Sequence, residues 1–152
     1  MGAGEVQASL TGGRQCGSVR YRLMRGPADA SVCYCRVCQK ASGGPFMAFG
    51  GVRLDELVWT RGAPNIFASS TFAERGFCAD CGTPLTYRVL DGDRISVTIG
   101  SLDAPAAVAP KVQWGAESKL SWLDSISGLP PRDIKAFFEP DVGSHQHTDH
   151  ET

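Results

Sequence analysis

Five of the six cysteines fall into two tight groups: Cys33, Cys35 and Cys38 in Cys-x-Cys-x-x-Cys, and Cys78 with Cys81 in Cys-x-x-Cys-Gly. The sixth, Cys16, stands alone in Gly-Gly-Arg-Gln-Cys-Gly. Spacings this short suit a zinc ion, whose sulfur ligands lie about 2.3 Å from the metal. They suit disulfides poorly, because a bridge inside either group closes a small loop, and small loops gain least from cross-linking. The arithmetic predicts two metal sites. One uses three thiolates within six residues, and the other gathers its ligands from distant parts of the chain.

The first group carries the more reactive chemistry. In an extended backbone Cys33 and Cys35 point the same way, and the Cys-x-x-Cys turn brings Cys38 to the same point. Three thiolates around a divalent ion give a net charge of −1 and leave one tetrahedral position open, as catalytic zinc sites do. Thiolates donate more electron density than neutral imidazoles, so such a zinc activates water weakly. It still deprotonates a thiol that binds it. The group therefore suits the handling of an incoming thiol better than hydrolysis. Residue types alone leave a second reading open, in which Cys16 or another side chain closes the site and the metal only holds loops together.

The second site is most simply Cys16 with Cys78 and Cys81, a structural clip between the first strand and the middle of the chain. Gly17 and Gly82 follow the last cysteine of each element and allow the left-handed turn of a zinc knuckle. A closed site wants four ligands, and Arg14 occupies the position where a Cys-x-Cys partner would sit.

All three histidines, His145, His147 and His150, lie near the C-terminus, so the first 139 residues contain none. Hydrolysis by a His-assisted serine or cysteine is thereby disfavoured. Fifteen basic residues against sixteen acidic ones leave the net charge at −1. No run of Lys or Arg exceeds two residues, so no phosphate-binding field and no nucleic-acid partner is expected. Residues 1–11 lack the layout of a secretory signal, and no apolar run reaches transmembrane length. Free thiols fit a reducing compartment, and a cytoplasmic protein, monomer or homodimer, is the expectation.

These groups must be positioned by short elements, since Gly and Pro punctuate the chain too often for long helices. Val19, Tyr21 and Leu23 share one face of a strand over Ser18–Leu23, with Arg20 and Arg22 on the other. Further strands are predicted at 30–34, 46–49, 57–60, 72–77, 85–89 and 94–99, the last two joined by the Asp-Gly hairpin signal of residues 90–93. Only residues 132–138, after Pro130-Pro131, read as helical. The fold class is mainly β, with one zinc-binding domain over residues 1–139 and a flexible polar tail over 140–152.

Three motifs in order carry a family resemblance: Gly-Gly-x-x-Cys-Gly-x-Val-Arg-Tyr at 12–21, Cys-x-Cys-x-x-Cys-x-Lys-Ala-Ser-Gly at 33–43, and Phe-Cys-x-x-Cys-Gly-x-x-Leu at 77–85. Ile99-Gly100-Ser101-Leu102-Asp103, Trp122 and Gly128-Leu129-Pro130 continue it. Over residues 10–131 the chain resembles the glutathione-dependent formaldehyde-activating enzymes, with a centromere protein V-like zinc domain. The resemblance implies small coiled β-sheets similar to those of methionine sulfoxide reductase B. It implies an active-site zinc on Cys33, Cys35 and Cys38 and a structural zinc on Cys16, Cys78 and Cys81. It also implies a carbon–sulfur lyase activity that joins glutathione to formaldehyde as S-hydroxymethylglutathione. The chain departs from the family pattern at Arg14, where a cysteine is usual, and at Tyr34, where a histidine is frequent.

Further candidates surround these motifs. Lys40, Ser42 and Gly43 are placed to contact a peptide-like thiol ligand, and Arg75 to pair with a carboxylate through its guanidinium fork. Phe46, Phe49, Trp59, Phe67 and Phe72 read as core, while Trp114 and Trp122 are candidate cleft walls. The expected function is zinc-dependent addition of a low-molecular-weight thiol to a small aldehyde, with Lys40 or water stabilising the oxyanion. The alternative is a non-catalytic, zinc-stabilised protein-binding module.

Overall fold

The computed structural model describes residues 8–137 and 143–146. The expected tail therefore lies, except for residues 143–146, outside the described residues. Strands β1 (Leu10–Gly13), β2 (Arg20–Leu23) and β5 (Leu57–Arg61) form an antiparallel sheet in the order β1-β2-β5. A second sheet contains β3 (Asp29–Cys33), β4 (Met47–Arg53), β6 (Asn65–Ala68), β7 (Ala73–Phe77), β8 (Pro84–Val89), β9 (Arg94–Thr98) and β10 (Val112–Trp114). Its order is β10-β3-β4-β9-β8-β7-β6, antiparallel throughout except that β10 runs parallel to β3. The architecture is mainly β, as the sequence predicts. Among the described residues no helix is long and apolar enough to cross a membrane.

Val19, Tyr21 and Leu23 are fully buried, packing with Val52, Leu85 and Val97 between the sheets. Each contributes roughly 1.5–3 kcal/mol by leaving water. Arg22 faces solvent as expected, but Arg20 is buried. Segment 99–103 bridges to β1 at Gly12–Leu102 and brings Asp103 over Arg20, whose two terminal nitrogens bond the carboxylate. Thr11 Oγ1 donates to the same carboxylate at 2.6 Å.

One reading of local structure needs correcting. The turn expected after Cys35 is an α-helix, α1 (Arg36–Ser42). The Cys35 side chain caps its start, and Gly43 closes its end in a left-handed conformation. Residues 134–137 after the Pro pair are helical as expected, in a short 3-10 helix. Phe67 and Phe72, read as core, are 61% and 58% exposed, whereas Phe49 is buried and Phe46 and Trp59 are half-buried.

Candidate metal centres and cavity

Cys33 is the last residue of β3, between Met47 of β4 and Trp114 of β10. Two residues on, Cys35 caps α1, its Sγ accepting from the Cys38 backbone N–H at 3.4 Å. Cys38 lies in the first turn of the helix and is buried. A strand end and a helix start thus aim three sulfurs at one point. Gly115, with φ 64°, passes so close that a Cβ there would sit 3.1 Å from the Cys35 nitrogen. Cys33 Sγ lies 3.3 Å from Cys35 Sγ, and all three sulfurs lie within 4.8 Å of one another. A tetrahedral zinc with sulfur at 2.3 Å needs neighbouring sulfurs about 3.8 Å apart, so the group fits such an ion.

Burial pushes the Cys33 thiol up to about 12 and also raises Cys38, where the neighbouring Arg75 guanidinium opposes it. At Cys35 burial acts upward too, but hydrogen bonds from the Cys38 amide and the flanking thiols outweigh it, and its pKa falls. Sequence reasoning offered Arg75 as the partner of a ligand carboxylate, and the structure sets its guanidinium against the sulfur group. It is buried on β7, beside Tyr87 of β8. Its Nη2 donates to Cys38 Sγ at 3.5 Å, Nη1 to Met47 Sδ at 3.3 Å and Nε to Ser69 Oγ at 3.1 Å, with Cζ 4.9 Å from the Tyr87 ring centre. The available signal was period: Arg75 alternates inward with Ala73, so its strand face is the buried one.

The three cysteines line a cavity of about 440 Å³ whose walls include Phe49, Phe72, Tyr87 and Trp114. A neighbouring cavity of about 620 Å³ shares Val37, Ser69 and Arg75 with it, and adds Arg36, Lys40 and Phe67. Lys40 therefore lies beside the second cavity rather than at the sulfurs. Ser42 and Gly43 build the helix end: Ser42 Oγ donates to Phe46 O and accepts from Gly44 N–H, and Gly43 N–H bonds Gln39 O. Tyr34 stacks edge-on against Phe46 beneath Lys119. Trp122 is exposed and lines neither cavity.

The second group is held by two knuckles, residues 14–17 and 78–82. Gly17 and Gly82 take the expected left-handed φ, 76° and 78°. Cys78, fully buried, accepts from the amides of Asp80 and Cys81 at 3.3 and 3.2 Å. Burial raises the Cys81 thiol, but the Thr83 hydroxyl and nearby amides overcome it and bring the pKa to about 6. Cys16 Sγ is 3.8 Å from Cys78 Sγ, and the three sulfurs again lie within 4.8 Å of one another. By sulfur spacing, either group could hold a metal ion.

The sequence profile of the glutathione-dependent formaldehyde-activating enzymes matches residues 9–117. The chain belongs to this family. An uncharacterised lyase of Schizosaccharomyces pombe is 31% identical over 77 residues, covering 51% of this chain and 56% of the relative. The chain thus spans little more than half the length of the curated relative it matches. A crystal structure of a Rhodobacter sphaeroides protein is similar at 26% identity with a TM-score of 0.54, covering 69% of this chain and 99% of that one. The family match contains all six cysteines, Arg14 and Arg75.

Proposed function

We propose that this chain is a zinc-dependent carbon–sulfur lyase of the S-(hydroxymethyl)glutathione synthase type, adding a low-molecular-weight thiol to a small aldehyde such as formaldehyde. One observation carries the reading: three thiols on the wall of a 440 Å³ cavity, with a buried guanidinium against the innermost sulfur. Cys33, Cys35 and Cys38 would hold the zinc. When bound, it supplies a lowered pKa for a thiol that reaches it.

The remaining work belongs to the chain's own side chains. Three thiolates on a divalent ion carry −1, and the buried Arg75 cation offsets that charge where water cannot. In the forward direction the thiol sulfur attacks the carbonyl carbon, the carbonyl π pair moves to oxygen, and the oxygen takes up the proton that the thiol gave up. The developing negative charge meets Arg75 and the hydroxyls of Ser69 and Ser70, polar groups of the cavity lining. Phe72, Tyr87 and Trp114 keep the cavity walls apolar. Arg36 and Lys40, in the adjoining cavity, supply the cations for the carboxylates of a glutathione-like thiol.

The test combines zinc-edge X-ray absorption, with and without glutathione, with thiol- and aldehyde-dependent turnover. A zinc with a non-protein ligand that glutathione perturbs, and turnover abolished by Cys35→Ser, are the expected results. A closed four-ligand zinc indifferent to thiols overturns the proposal in favour of a zinc-stabilised binding module.

A further inference from the structure

The two cysteine groups share a spacing. Where the first has Cys33-x-Cys35, the second has Arg14-x-Cys16. The Arg14 side chain does not turn away to solvent, but lies buried among the sulfurs. Its Nη1 donates to Cys78 Sγ at 2.9 Å, to Ser18 Oγ at 3.0 Å and to Asp80 Oδ2 at 3.3 Å, and its Nη2 donates to Ala63 O at 3.0 Å. One planar group therefore joins the first knuckle, the second knuckle and the connection between β5 and β6. The two knuckles are the segments that a structural metal would clip together.

We infer that Arg14 is the fourth member of the Cys16–Cys78–Cys81 cluster and holds the two knuckles itself, so that this site keeps its shape without a metal ion and binds zinc only weakly. A guanidinium is a donor with no acceptor lone pair and stays protonated, so it cannot become a ligand. Its short N–H···S bond, at 2.9 Å, engages a sulfur that zinc needs. The first group also has an arginine at a sulfur, but differs in distance and in access. Its arginine approaches from β7 at the longer distance of 3.5 Å, and all three of its sulfurs line a cavity. The inference does not depend on the proposed reaction, since it concerns the cluster away from that cavity.

The test uses the full chain and two variants, Arg14→Cys and Arg14→Gln. After zinc loading and dialysis against a chelator of intermediate affinity, Arg14→Cys should retain one more zinc per chain than the parent. Strong chelation should leave amide exchange over residues 12–20 and 76–84 of the parent unchanged, whereas Arg14→Gln should speed it at least tenfold. Equal zinc retention by the parent and Arg14→Cys, or loss of knuckle protection when the parent is stripped of metal, would overturn the inference. Should Arg14→Gln not fold, the zinc increment in Arg14→Cys still decides. Both chains share Cys33, Cys35 and Cys38, so an empty first group would lower both counts and leave the increment unchanged.

Discussion

Arg75 and Arg14 each direct a guanidinium at a buried cysteine sulfur, Cys38 and Cys78 respectively. A buried cation persists only with partners, and at Arg75 those partners are two sulfurs, a hydroxyl and a ring face. Replacing it by Gln removes the charge while keeping a donor. We expect Arg75→Gln to lower kcat/KM for thiol addition by about 10²-fold, the typical effect of losing one donor to a developing oxyanion. Zinc analysed in the same preparation should remain bound, which separates this loss from loss of the metal. Asp103 poses a different problem. It is the carboxylate on buried Arg20, and truncating one partner of such a pair costs about 3 kcal/mol or more. Asp103→Ala should show this in urea denaturation. The cysteine spacing was legible at this scale because ligand sets are local. The arginines' contacts with sulfur were not, because those sulfurs lie 28 to 64 residues away in the chain.

The element most exposed to perturbation is α1. It has seven residues, too few to be stable alone in water, and depends on the Cys35 cap, the Gly43 close and the bonds of buried Gln39 to Tyr34 O and Ser118 O. Stripping metal from Cys33, Cys35 and Cys38 should therefore raise amide exchange over residues 34–44 while β4 and β9 stay protected, measurable by hydrogen–deuterium exchange. The chain just after β10 is fixed by a similar constraint. Gly115 has φ 64° and abuts Cys35, so Gly115→Ala should cost roughly 1–2 kcal/mol from left-handed strain alone. Urea midpoints would measure it, with faster zinc loss from the first group as its local sign. Strands 20–23, 57–61, 84–89 and 94–98 were legible from alternation and turn residues. β1, β6 and β10 were not, being short and stabilised by pairing rather than by pattern. The helix was missed because its N-terminal cap is a cysteine, outside the usual Ser, Thr, Asp and Asn set.

At the scale of the whole molecule, the parallel pairing of β10 with β3 brings residue 114 beside residue 33. Trp114 then forms a wall of the sulfur-lined cavity, while Trp59 packs edge-on against Tyr21 in the core. Glutathione binding should quench tryptophan fluorescence, and Trp114→Phe should abolish most of the response. A full response in that variant would mean that the ligand binds elsewhere. What the sequence by itself determined is the chemistry on offer: five of six cysteines in metal-ligand spacings, no histidine in the first 139 residues, and a β-rich chain with alternating faces. These are local properties, fixed by residue type and by separations of a few positions. Only the tertiary structure decided which charges meet the sulfurs, that α1 exists, and that Trp114 stands in the wall of the sulfur-lined cavity. Those outcomes depend on strands paired across scores of residues, where the burial of a whole sheet outweighs any local preference.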